Sequence, residues 1–131
     1  MKYLISLLLC LISVASAYAD FPYPVSGNPY SVVNTTPVAN TTPVAIATPR
    51  GTTKSYYITS VTVGNSHASV PAIASILCGS TVKWSCPLAA VSGNCSVPFP
   101  IPIKCDANTA INCASSASAS VTCNVSGYWG D

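Results

Sequence analysis

Six cysteines between residues 78 and 123 recur at intervals of 8, 9, 10, 8 and 10 residues, and they keep step with an alternating apolar pattern. Val82, Trp84 and Cys86 share one parity against Thr81, Lys83 and Ser85, and Cys95, Val97 and Phe99 stand against Asn94 and Ser96. The same phase returns in Ile101, Ile103 and Cys105, in Thr109, Ile111 and Cys113, and in Val121, Cys123 and Val125. Cys78 follows Val70, Ala72, Ala74 and Ile76 in register. Successive side chains on a strand point to opposite faces, so the pattern predicts strands whose sulfurs sit among core residues and away from water.

What surrounds the cysteines narrows the fold class further. Half of the 131 residues are apolar, mostly small or β-branched, and Pro, Ser, Thr and Asn fill much of the rest, which suits strands and turns more than helices. The charge count is low: five Lys or Arg and three Asp, with neither Glu nor Gln. So few ionisable groups leave little material for acid and base chemistry.

Residues 1–19 have the form of an export signal. Lys2 supplies a basic start, residues 4–14 an apolar core, and Ala17-Tyr18-Ala19 a small-x-small cleavage site before Asp20. The apolar run is short for a membrane-spanning helix; the other reading is an anchor retained uncleaved. Cleavage would remove Lys2 and Cys10, leaving four cations against three acids, a formal charge of +1, and six cysteines of the original seven. An even number in an exported chain fits an oxidised framework, periplasmic, cell-surface or extracellular.

Sequence alone does not select a connectivity for six cysteines, but spacing ranks the options. Cys113 and Cys123 would face one another if residues 114–122 folded as a hairpin about Ser118. Cys86 and Cys95 flank a turn signal at Ser92-Gly93-Asn94, which leaves Cys78 with Cys105. Each closed loop would contribute about 2–4 kcal/mol, mainly by restricting the unfolded chain. Buried free thiols are the alternative, since cysteine behaves as a small hydrophobe. Zinc fits poorly, because tetrahedral sites draw on closely spaced cysteine pairs and no two of the six lie closer than eight residues. No metal or other cofactor is expected.

Residues 20–53 read as an extended, low-complexity arm. They hold Pro22, Pro24, Pro29, Pro37, Pro43 and Pro49, and a tandem hexapeptide, Asn-Thr-Thr-Pro-Val-Ala, beginning at Asn34 and again at Asn40. Proline fixes φ and removes a donor, so a polyproline-like spacer or a strap over the domain is expected in place of a helix or a central strand. Asn34 and Asn40 also open N-x-Thr sequons, and Asn94 and Asn124 open N-x-Ser ones, which in a eukaryotic secreted chain would mark a glycosylated stalk.

Strands are predicted over 54–63, 70–77, 81–86, 94–99, 101–105, 109–113 and 120–126, with a tight turn at Cys78-Gly79-Ser80. Short strands at this spacing make residues 54–131 an antiparallel β-sandwich or jelly-roll-like domain. Pro98, Pro100 and Pro102 place residues 98–103 on an edge or crossover. An antibody-like domain is disfavoured, since Trp84 sits two residues from Cys86 and not between two distant cysteines.

The order of several short motifs carries a resemblance. Lys54-Ser-Tyr-Tyr-Ile-Thr-Ser-Val-Thr-Val-Gly-Asn65 precedes Cys78-Gly-Ser-Thr-Val-Lys-Trp84, then Phe99-Pro-Ile-Pro-Ile103, Ala107-Asn-Thr-Ala-Ile-Asn112 and Val125-Ser-Gly-Tyr128. Over about residues 54–129 this is similar to small β-sandwich accessory proteins associated with the head or tail of tailed bacteriophage particles. None of the shared motifs is catalytic. Cys78 stands where that pattern expects Asp, and such particle proteins normally carry neither an export signal nor six cysteines. The resemblance therefore implies an exported relative, or a phage-encoded protein sent to the host envelope.

Catalytic constellations find little support. A Ser-His-Asp arrangement would require His67, Asp106 and an unmarked serine, with no nucleophile-elbow motif. There is no phosphate-binding glycine loop, and Arg50, Lys54, Lys83 and Lys104 are scattered instead of forming a nucleic-acid patch. Of the aromatics, Trp84 and one of Tyr56 and Tyr57 are expected in the core, which leaves Tyr128 and Trp129 as the candidate contact residues for a protein or glycan. The expectation is a non-enzymatic structural or attachment module, with self-association through the arm as one mode and no membrane contact after signal cleavage. A secreted, disulfide-stabilised monomeric binding or inhibitory protein is the alternative, and a hydrolase dependent on His67 is the third.

Overall fold

The computed structural model describes residues 27–34 and 37–131, and residues 1–19, expected to form an export signal, lie outside the described residues together with Asp20. Eight strands follow in order: β1 Asn28–Val33, β2 Val44–Ala47, β3 Ser55–Asn65, β4 Ala72–Cys78, β5 Thr81–Leu88, β6 Gly93–Lys104, β7 Ile111–Ser115 and β8 Val121–Gly130. They form two four-stranded sheets, ordered β1-β8-β3-β6 and β2-β7-β4-β5. All the pairings are antiparallel.

The topology is that of one long hairpin rolled up on itself. The first half of the chain pairs with the second half in reverse order: β1 with β8, β2 with β7, β3 with β6 and β4 with β5. Rolling this ribbon brings β8 beside β3 and β7 beside β4, which closes each set of four into a sheet. That arrangement is a jelly roll, the two-layer solution that buries one face of every strand.

Alternation decides what faces inward. Tyr56, Ile58, Val61 and Val63 of β3 are buried, as are Ala74 and Ile76 of β4, Ile111 and Cys113 of β7, and Val121, Cys123 and Val125 of β8. Outward positions of the same strands are small and polar, as at Thr62, Thr122 and Asn124. At Thr59 the period breaks: both ladders of β3 shift register between Ile58 and Ser60. Opposite that bulge the β6 register jumps from Ile103 to Pro98, so residues 99–102 arch away from the ladder.

Three expectations are revised by these ladders. The segment expected as an arm up to residue 53 contributes β1 and β2, an edge strand in each sheet, and buries Val38, whose N–H bonds Val121 O at 2.7 Å. Edge positions tolerate prolines such as Pro29, because an edge strand leaves donors unpaired in any case. The strands expected at 94–99 and 101–105 are one strand, β6, interrupted by the arch. Ile101, assigned to the apolar face by parity, lies on that arch and is 85% exposed.

Candidate functional site

All three disulfides run between the two sheets. Cys78 at the end of β4 joins Cys105, Cys86 in β5 joins Cys95 in β6, and Cys113 in β7 joins Cys123 in β8, with Cα separations of 5.3, 6.6 and 6.1 Å. Cys105 lies just past β6 and stays tied to that sheet by its N–H to Tyr56 O at 2.8 Å. These are the pairs that spacing ranks first, reached by a different geometry. β7 and β8 are not a hairpin about Ser118, since they belong to opposite sheets and the 116–120 connection crosses the sandwich. Each bond runs from one layer to the other, two of them through the core and Cys86–Cys95 along the β5/β6 flank.

At one end of the sandwich the aromatics gather around a single rung of the β1-β8-β3-β6 sheet. Tyr128 pairs with Tyr57, and Tyr57 with Lys104, so these three share the outer face. The two tyrosine rings stack at 4.9 Å between centroids and 12° between planes, and Lys104 Nζ lies 5.5 Å from the Tyr57 centroid. A Cβ placed on Gly27 would meet the Tyr128 ring at 2.6 Å, so the backbone there covers the ring edge closely. One face of each tyrosine is thus taken by the other ring, and both side chains remain half-buried.

Trp129 points the other way. Strand alternation sends it to the inner side, where it packs against the core beside Tyr56, while the Arg50 guanidinium sits 5.4 Å over its ring. Arg50 Nε also donates to Tyr56 Oη at 3.0 Å, and that hydroxyl donates to Thr48 O at 2.6 Å. The candidate pair Tyr128 and Trp129 is therefore divided between two faces and does not form one platform. Arg50 is the residue the sequence reading missed; it sits in a loop with no periodicity to mark it. Beside it, Lys54 Nζ and Asp131 form an ion pair at 2.6 Å, and the hydrogen bond from Lys54 holds the Asp131 carboxyl below the usual range.

The opposite end carries an open depression of about 300 Å³ whose lining includes Gly64, Ser66, Ser92, Asn94 and Thr122. Its floor is organised by Asn65, which is buried. Asn65 donates to Val70 O and Ala89 O at 2.8 and 3.2 Å and accepts from His67 N and Ser120 N at 3.0 and 3.4 Å. One amide side chain thereby joins three connecting loops. His67 braces the first of these loops, its own: its Nδ1 accepts from Ser69 N at 3.2 Å and Val70 N at 3.1 Å. That nitrogen is a turn acceptor and not an unengaged base. Among the described residues no group of three or more His, Cys, Asp or Glu could hold a metal ion.

The four sequons divide by burial. Asn34 is 7% exposed, with its amide donating to Val121 O at 3.1 Å and accepting from Cys123 N at 2.5 Å, whereas Asn40, Asn94 and Asn124 are exposed. In the fold, the Asn34 amide extends β1 pairing along β8 and is closed to a glycan.

No family model matches the chain, and no curated protein matches it in sequence. Among solved structures it is similar to a chain of the cyanophage Pam1 capsid asymmetric unit, with 15% identity, a TM-score of 0.48, and coverage of 86% of this chain and 95% of that chain.

Proposed function

We propose that this protein is an exported, non-enzymatic structural module whose rigidity is its function, associated with a virion or a host envelope. The observation that carries the reading is that every disulfide staples one sheet to the other. Cross-links placed this way resist shear of the two layers and restrict the unfolded chain, and they persist in oxidising surroundings outside the cytoplasm. The virion or envelope association is supported by the order of motifs between residues 54 and 129, and attachment would use the exposed edges of the roll. The non-enzymatic part is supported by the engagement of His67 Nδ1 with two backbone amides and by the scarcity of acids in the chain.

Intact mass under non-reducing conditions, on protein recovered from the periplasm or medium, tests the export and cross-linking together. The expected species begins at Asp20 and lacks six thiol hydrogens. Native mass or light scattering on the same sample should show self-association or capture on particles. A reduced, cytoplasmic monomer would overturn the reading, and so would catalytic turnover lost on His67→Ala.

A further inference from the structure

Solvent reaches the three disulfides unequally. Cys78 is 4% exposed and Cys105, Cys113 and Cys123 are 0% exposed, whereas Cys86 and Cys95 are only half-buried. The topology gives the cause. β5 and β6 are the outermost strands of opposite sheets, and no ladder of hydrogen bonds joins them. Along that flank the layers are held by Cys86–Cys95 and by the edge-on contact of Trp84 with Phe99, 6.4 Å between ring centroids. The turn joining the two strands holds Val91 and Ser92 at φ of 56° and 65°, a left-handed conformation that is costly for a β-branched residue. Backbone pairing would not hold this flank together if the bond opened. The other two disulfides, by contrast, are enclosed by the core.

We propose that Cys86–Cys95 is a thiol-accessible latch: the one bond of the three that external thiols open in the folded protein, freeing the β5/β6 flank while the two buried bonds keep the sandwich closed. Exchange requires a thiolate to approach one sulfur along the bond. The thiolate of a dithiol attacks Cys86 or Cys95, forming a mixed disulfide and releasing the other cysteine as a thiolate. The second thiol of the reagent then displaces the protein sulfur, leaving an oxidised dithiol and two reduced cysteines. Two electrons pass from the dithiol to the protein, and its two protons balance the pair of new thiols. With a monothiol such as glutathione the first step can stop at the mixed disulfide, which makes the pair a site for S-thiolation. Opening the flank would uncover Trp84 and Phe99 between the layers.

The inference rests on the exported, cross-linked reading only in requiring all three bonds at the outset. The test is limited reduction of the native full-length secreted protein with dithiothreitol, followed by acid quenching, alkylation and peptide mapping. A species with one bond opened should accumulate, labelled on Cys86 and Cys95, with red-shifted tryptophan emission and an unchanged far-ultraviolet spectrum. The Cys86→Ser/Cys95→Ser double variant should lose this early phase and keep its other two bonds until it is unfolded. Loss of all three bonds together, or first labelling at Cys78, Cys105, Cys113 or Cys123, overturns the latch alone. Cys86 and Cys95 found as free thiols in the starting protein would overturn both the latch and the cross-linked reading.

Discussion

Two buried polar side chains have opposite fates. Asn65 uses both amide hydrogens and accepts two backbone amides, so its burial is compensated at every polar atom. Asn65→Ala would leave two carbonyls and two N–H groups of three loops unpaired, and the expected cost is about 2–4 kcal/mol, read from urea unfolding. The Tyr30 hydroxyl is buried with no partner among the described residues, although its ring packs edge-on against Tyr56 at 4.9 Å. Burial, and secondarily the neighbouring Tyr56, push its pKa above the ordinary tyrosine range. Tyr30→Phe removes the unpaired group and keeps the ring, so it should stabilise the protein, by about 1 kcal/mol at neutral pH. The sign of the pH dependence follows from the raised value. The folded state favours the neutral phenol, so the wild type keeps this contribution below the unfolded-state pKa and loses it as pH rises through the alkaline range. Tyr30→Phe should lose less stability there, which thermal melts across that range would show. Neither fate is written in the sequence, because Tyr30 and Asn65 acquire their surroundings from strands and loops far away in the chain.

At the scale of elements, the bulge at Thr59 organises one end of the sheet. Where β8 passes it, a Cβ on Gly127 would lie within 2.0 Å of Tyr57 O, backbone that cannot move without disturbing two ladders. Gly127→Ala should therefore cost about 3 kcal/mol or more, with disulfides intact, as measured by chemical denaturation. The other device is the free edge of β6. Pro98, Pro100 and Pro102 deny a passing strand three donors, and the arch they stiffen breaks the flat template. Replacing all three with Thr should increase concentration-dependent association, seen as earlier elution or growing light scattering, with little loss in the core. The strand content around the cysteines was legible because alternation with period two needs only neighbouring residues. β1 and β2 were not legible: their prolines and polar repeats carry the local signal of a spacer, and only pairing with β8 and β7 makes them strands. The same limit separated Tyr128 from Trp129, adjacent in sequence yet on opposite faces, and concealed Arg50, whose place over Trp129 depends on how a loop lands.

For the whole molecule, the rolled hairpin sets a demanding folding problem. β1 must find β8, with Asn28 opposite Trp129, so the outermost pairing closes nearly the full described chain and comes at a large loop-closure entropy. Disulfides counter this by shortening the accessible loops of the unfolded chain. Cys78–Cys105 spans 27 residues and encloses the 9-residue span of Cys86–Cys95, while Cys113–Cys123 spans 10. Chain-entropy reasoning gives about 3.6 kcal/mol for the longest and about 2.6 kcal/mol for each of the others, with the nested pair adding less than its separate sum. Together they approach the whole stability of a typical small domain, about 5–15 kcal/mol. The β1–β8 closure spans all three of these loops, so the cross-links shorten the chain it must close, although none of them ties β1 or β2 to a partner strand. Full reduction should therefore abolish cooperative folding, first by loosening β1 and β2 from the sheet edges and then by separating the layers. Circular dichroism melts with and without reductant, together with hydrogen exchange resolved by segment, would measure this. Removing Cys78–Cys105 alone should lower the midpoint more than removing Cys86–Cys95, because the longer loop restricts the unfolded chain more and its sulfurs fill buried core. A larger loss from Cys86–Cys95 would show that the open β5/β6 flank, and not loop length, limits the stability of the roll.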